Sequence, residues 1–132
     1  MLATGGGKFD HINIKLWNTN SCKPVTSQPI YSKISSIIWN EEFHMMVSAC
    51  AEPENVISMW TLEDDSKAIT LKHQRTIQGH EDRILNMVQS NDHKFLCTAG
   101  ADERLKVWSL CEEEGDPFTP TQSSRESSPW RV

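Results

Sequence analysis

The 132-residue sequence contains no run of 18 consecutive apolar residues, which excludes a membrane-spanning helix. Residues Met1 to Asp10 carry no basic stretch followed by an apolar one, so they do not read as a secretory signal. The four cysteines, Cys22, Cys50, Cys97 and Cys111, form no Cys-x-x-Cys pair, and their uneven spacing matches neither a zinc module nor a redox dithiol. The thiols are therefore expected to be reduced, and the protein to work in the nucleus and cytoplasm. Positive charge is also scarce: 13 Lys and Arg stand against 18 Asp and Glu, a net charge of −5. A nucleic-acid binder concentrates Lys and Arg on one face, so neither nucleic acid nor a membrane is an expected partner. His11, His44, His73, His80 and His93 fall at no ligand spacing; no metal and no cofactor is expected.

What is present is internal repetition, which outranks the other signals. Residues 32–51 and 82–101 overlie without a gap at an offset of 50, matching Ile34 to Ile84, Ile37 to Met87, Ile38 to Val88, Val47 to Cys97, Ser48 to Thr98 and Ala49 to Ala99. A partial third copy opens the chain, where Leu2 to Gly7 overlies Leu96 to Ala101. Each copy closes on an apolar segment ending in tryptophan: Trp17, Trp60 and Trp108, which lie 43 and 48 residues apart. That spacing is near the length of a propeller blade.

Within a copy the segments are short, rich in Ile, Val, Thr and Trp, and alternate in polarity, as in Ile12-Asn13-Ile14-Lys15-Leu16. A period of two puts one row of side chains on each face of a strand. Turn formers separate the segments: Asn18-Thr19-Asn20, Asn40-Glu41-Glu42, Ser90-Asn91-Asp92 and Ala101-Asp102-Glu103. Strands are predicted near 2–5, 11–17, 24–27, 34–39, 45–49, 56–61, 68–77, 84–88, 94–99 and 105–110. The fold class is all-β.

The last copy begins Gly79-His80 and ends with Asp102 six residues before Trp108. Gly-His ahead of a first strand, Ser or Thr on the second, Asp in the next turn and Trp on the third is the WD-repeat pattern. An imidazole can be held by the turn carboxylate and by the Thr hydroxyl, while the indole N–H finds a partner and its ring packs between blades. A structural tetrad of Trp108, Thr98, His80 and Asp102 is predicted. Hydroxyl, imidazole and carboxylate also make a catalytic triad, and a hydrolase is a competing class. Nothing in the sequence supplies an oxyanion hole or a substrate pocket, so the reading is binding and not catalysis. Gly5-Gly6-Gly7-Lys8 is not a phosphate loop either, since the Gly required six residues before the Lys is Leu2.

The strings LATGGG, NIKLWN, GHEDRIL and TAGADERLKVW resemble the C-terminal blades of the Fizzy and Fizzy-related WD-repeat proteins. These are cell-division-cycle coactivators that bring substrates to the anaphase-promoting complex, a ubiquitin ligase. The resemblance spans about residues 1–111, and its specificity lies in Ala-Asp-Glu-x-Leu-x-x-Trp together with the triple-glycine turn. Asn55 falls where the family carries an Asn just before the third strand of a blade that lacks the turn Asp. Family propellers have seven blades. At about 40–45 residues each, this sequence is expected to hold two and a half: a partial one at 1–31, a second at 32–78 and a third at 79–111. Either it is a fragment or short isoform, or its open strand edges are covered by something else, because free edges invite pairing.

The resemblance implies a substrate-recognition adaptor whose partners are subunits of the anaphase-promoting complex and proteins bearing degrons, namely a destruction box and a KEN motif. Glu103 stands where the family contacts the destruction-box arginine, and a carboxylate there can pair bidentately with guanidinium. The competing reading of this residue is a solvated turn glutamate. Arg83 matches the basic residue suited to the Glu of KEN. Lys8 and Lys33 replace the family's Thr and Gln and would repel the KEN lysine. The competing reading is a generic WD-repeat scaffold or a truncated isoform without degron binding. From Glu112 onward the sequence is rich in Ser, Pro, Thr and charge, so residues 112–132 are expected to form a disordered polar tail. Thr119-Pro120 and Ser128-Pro129 resemble proline-directed phosphorylation sites. The chain ends Trp130-Arg131-Val132 where family members end in the Ile-Arg that docks on the ligase.

Overall fold

A computed structural model describes residues 1–6, 13–65 and 67–110. Lys8, Thr119, Ser128 and the polar tail lie outside the described residues, as do the first two residues of the strand expected at 11–17. The described residues form ten strands and no helix: β1 (Leu2–Gly6), β2 (Asn13–Asn18), β3 (Lys23–Pro29), β4 (Ile34–Asn40), β5 (Met45–Cys50), β6 (Val56–Asp65), β7 (Ala68–Gln78), β8 (Ile84–Gln89), β9 (Phe95–Gly100) and β10 (Leu105–Ser109). Every pairing is antiparallel. Three meanders result, ordered β1-β2-β3, β4-β5-β6-β7 and β8-β9-β10. They are partial propeller blades, with only the middle sheet four-stranded.

The sheets stack face to face in chain order, with β4 touching both β1 and β8. Alternation explains how one strand serves two neighbours. All six residues of β5 are buried, and they divide by parity. Met46 packs with Ile14 and Leu16 of the first sheet, whereas Met45, Val47 and Ala49 pack with Met87, Leu96 and Trp108 of the last. A fully buried side chain of this size is worth roughly 1.5–3 kcal/mol, so these two layers hold the stack. Gly5 permits the first sheet to approach β4: a Cβ there would lie 2.6 Å from Ile34 Cδ1 and 2.7 Å from Ile37 Cδ1.

β-Bulges tune which side chains enter each layer. The β6–β7 ladder shifts between Met59 and Trp60, whose partners are Arg75 and His73, leaving Gln74 unpaired. An extra residue reverses the alternation beyond it. Ile77 therefore faces the last sheet while Leu71, an even number of residues away, faces the first. The β6–β7 hairpin is longer than the sequence pattern predicts, reaching Asp65 instead of residue 61. Leu62 opposite Leu71 and a 3.0 Å Lys72–Glu63 ion pair extend it. At the end of the stack where β4 meets β5, Asn40 is fully buried and joins two sheets. Its Nδ2 donates to the His93 carbonyl at 2.8 Å, and its Oδ1 accepts the Phe43 N–H at 2.9 Å.

Candidate functional site

The repeat-closing tryptophan of each sheet finds a hydroxyl on the strand that precedes its own. The indole N–H of Trp17 donates to Thr4 at 2.7 Å, that of Trp60 to Ser48 at 2.9 Å and that of Trp108 to Thr98 at 3.0 Å. The repeat alignment put Thr4, Ser48 and Thr98 in equivalent places, so this pairing was available from the spacing. In the last sheet the bond continues into a chain that ends on a carboxylate. Thr98 Oγ1 lies 2.8 Å from His80 Nε2, and His80 Nδ1 lies 2.9 and 3.0 Å from the two oxygens of Asp102. Donor capacity assigns the protons: Trp108 donates to Thr98, Thr98 to Nε2, and Nδ1–H to the carboxylate.

Asp102 is the hub of the turn. Besides His80 it accepts the backbone N–H groups of Glu81 at 3.1 Å and Arg104 at 3.2 Å. Burial pushes its carboxyl up, but the hydrogen bonds from His80, Glu81 and Arg104 outweigh that and hold it below the usual carboxylate range. His80 and Thr98 are 2% and 0% exposed, so no substrate can reach them as they stand. Gly100 completes the packing, since a Cβ there would collide with the His80 ring and the Asp102 carboxylate. In the middle sheet the corresponding places hold Ile30, Cys50 and Glu52. There the tetrad is absent and a side chain fits where Gly100 is required.

The tetrad end of the stack also carries the exposed residues singled out by the family resemblance. The Ala101 N–H donates to the Arg83 carbonyl at 2.9 Å, and the Ala51 N–H donates to the Lys33 carbonyl at 2.7 Å. These equivalent bonds tie each strand-entry loop to its neighbouring turn, bringing Arg83 near Glu103 and Lys33 near Asn55. Arg83, Lys33 and Glu103 are exposed, and Asn55 is half-buried. Glu103 and Asn55 occupy matching positions and both adopt left-handed backbone, with φ of 62° and 53°. Asn tolerates that region far better than Glu. Asn55 Oδ1 is buried and has no hydrogen-bond partner among the described residues. Sequence reasoning missed the 3.0 Å ion pair between Arg104 and Glu81 at this end; those two charges come together only through the turn. Among the described residues, no three His, Cys, Asp or Glu side chains are grouped to hold a metal.

The family model "WD domain, G-beta repeat" matches residues 71–109. That segment runs from β7 through β10, so one sequence repeat straddles two sheets. Relatives match almost the whole chain. The WD repeat-containing proteins srw1 and slp1 of Schizosaccharomyces pombe are 30% and 33% identical over 95% and 94% of it. The anaphase-promoting complex subunit cdc20 of Dictyostelium discoideum is 30% identical over 97%. The chain spans about a quarter of each of these relatives, between 23% and 25% of their length. In the crystal structure of the mitotic checkpoint complex, one protein chain superposes with a TM-score of 0.73 at 33% identity, over 83% of this chain and 33% of that one. With these matches and the sheet order, the chain consists of WD-repeat propeller blades and belongs with the Fizzy and Fizzy-related coactivators of the anaphase-promoting complex.

Proposed function

We propose that the chain acts by binding, as part of a substrate-recognition adaptor of the anaphase-promoting complex, and that its tetrad end receives degron peptides. The observation that carries this reading is Glu103. Its side chain is exposed, makes no hydrogen bond or ion pair among the described residues, and stands on left-handed backbone that Gly or Asn would occupy at lower cost. The other carboxylates of the turn are engaged, Asp102 by His80 and Glu81 by Arg104. An arriving guanidinium would thus find one uncommitted carboxylate, able to accept two parallel N–H bonds. Curated relatives named as cofactors or subunits of the anaphase-promoting complex support the same reading.

Arg83 suits an acidic side chain in the peptide. Lys33 and Lys8 set a like charge against a peptide lysine and so favour destruction-box over KEN sequences. Titration of the chain against fluorescent destruction-box and KEN peptides, read by anisotropy, tests the assignment. Glu103→Arg should weaken the destruction-box peptide about tenfold, or ~1.4 kcal/mol, with the far-UV circular dichroism of the parent. Lys8→Thr combined with Lys33→Gln should improve the KEN peptide. If Glu103→Arg binds the destruction box as tightly as the parent, Glu103 is a solvated turn residue and a generic WD-repeat scaffold is the better description.

A further inference from the structure

The hairpins β2–β3 and β6–β7 follow one plan as far as their tryptophans and then diverge. Both ladders shift at the same place: Leu16 pairs with Thr26 but Trp17 with Pro24, and Met59 pairs with Arg75 but Trp60 with His73. Beyond Trp17 the first hairpin forms a single further pair, Asn18 with Lys23. Beyond Trp60 the second forms five, from Thr61 with Lys72 out to Asp65 with Ala68. Trp17 and its partner Pro24 are 7 residues apart in sequence, whereas Trp60 and His73 are 13 apart. The middle sheet therefore carries a hairpin extension that the first sheet lacks. Since β6 starts at the tetrad end, the extension projects from the opposite end, where β4 meets β5.

The extension has two unlike faces. Alternation puts Leu62, Ile69 and Leu71 on the face shared with Trp60, and there they pack with Ile14 and Leu16 of the first sheet. Leu62 and Leu71 also stand across an apolar cavity from Ala3 and Leu16. Leu71 is buried, and Leu62 and Ile69 are half-buried. On the other face Glu63, Thr70 and Lys72 are exposed, with Glu63 and Lys72 joined by their 3.0 Å ion pair. A two-stranded ribbon is marginally stable at best by itself in water. This one gains its support from the first sheet.

We infer that the extension is a strap, which reaches from the middle sheet across the seam and holds the first sheet in place at the end opposite the tetrad. At that same end the last sheet is tied to the middle one differently, by the buried Asn40 side chain on the His93 carbonyl. The two seams thus respond to different perturbations. Two of the three apolar side chains of the strap are only half-buried, so it lifts at lower cost than a sheet unfolds. Lifting it loosens the first sheet and leaves the Asn40 tie intact, which makes the seam between the first and middle sheets the adjustable joint of the stack.

Hydrogen exchange of the intact 132-residue chain, read by mass spectrometry on peptides from each sheet, tests the strap. Leu62→Ser combined with Ile69→Ser removes apolar contacts while keeping the hairpin. Replacing residues 62–71 by Asn-Gly removes the extension and leaves a two-residue turn between Thr61 and Lys72. Either change should speed exchange in β1–β3 about tenfold, equivalent to ~1.4 kcal/mol, with β8–β10 and the circular dichroism as in the parent. Glu63→Gln combined with Thr70→Ser alters the solvent face alone and should leave all three sheets unchanged. Unaltered exchange in the first sheet, an equal rise in all three sheets, or loss of the folded circular dichroism in both strap variants overturns the proposal.

Discussion

Replacing Asp102 with alanine is the sharpest test of the tetrad. The substitution removes an acceptor from three donors, and they do not count equally. The N–H groups of Glu81 and Arg104 belong to exposed residues, so water replaces the carboxylate there at little cost. His80 is 2% exposed, and its Nδ1–H would be left buried without a partner. A hydrogen bond to a charged group contributes about 1.5–3 kcal/mol net, and an abandoned buried donor costs a comparable amount. The expected loss is about 2–3 kcal/mol, which for a domain of this size lowers the melting temperature by roughly 8–15 °C. Asp102→Asn retains one acceptor oxygen and should lose about half as much. The carboxyl is held below its ordinary range when folded, so its contribution is complete above the unfolded pKa near 4 and is lost as pH falls through the lower folded value. Asp102→Asn should remove that part of the acid dependence. Thermal and urea unfolding followed by circular dichroism at fixed protein concentration measures all three effects. Equal stability of parent and Asp102→Ala would refute the account and revive the hydrolase reading, in which the triad serves chemistry.

The remaining predictions concern packing and thiol chemistry. Gly100→Ala should cost about 1–3 kcal/mol as an overpacked site, because its Cβ meets a fixed ring and carboxylate. Gly5→Ala should cost less, because it meets methyl groups of two isoleucine side chains, Ile34 and Ile37, and not a ring and carboxylate fixed by hydrogen bonds; paired thermal melts give the ranking. Burial, the largest influence on Cys50, pushes its thiol up despite hydrogen bonds with Ser48 and Ser58, whereas Cys22 is exposed. A thiol reagent at pH 8 should therefore modify Cys22 promptly and Cys50 only on unfolding, as peptide mapping by mass spectrometry would show.

Much of this was legible in the residues. Period-two alternation located the strands to within a few positions, and the 50-residue offset carried over even to the bulges, which recur at Ser35 and Leu85. The polar tetrad was legible because four residue types at fixed spacing have few other ways to satisfy one another. Three features were not. The Gln74 bulge depends on the demands of two neighbouring sheets, and no local pattern records them. Glu63 to Asp65 are poor strand formers that extend β6 only because β7 pairs with them. Asn40 looks like an ordinary turn residue, and its inter-sheet bonds arise from the turn of another repeat.

The repeat recognised in the sequence, residues 71–109, is out of phase with the sheets, taking the last strand of one and the three strands of the next. The unit that a gene can duplicate or lose is therefore not the unit that packs. Adding one such repeat closes the sheet already standing and opens another of the same kind, so an array can change length in single steps while always ending in the same unfinished state. A break at a sheet boundary has a different result: it separates β7 from the Gly-His entry that follows it, dividing the inheritable module while leaving each sheet whole.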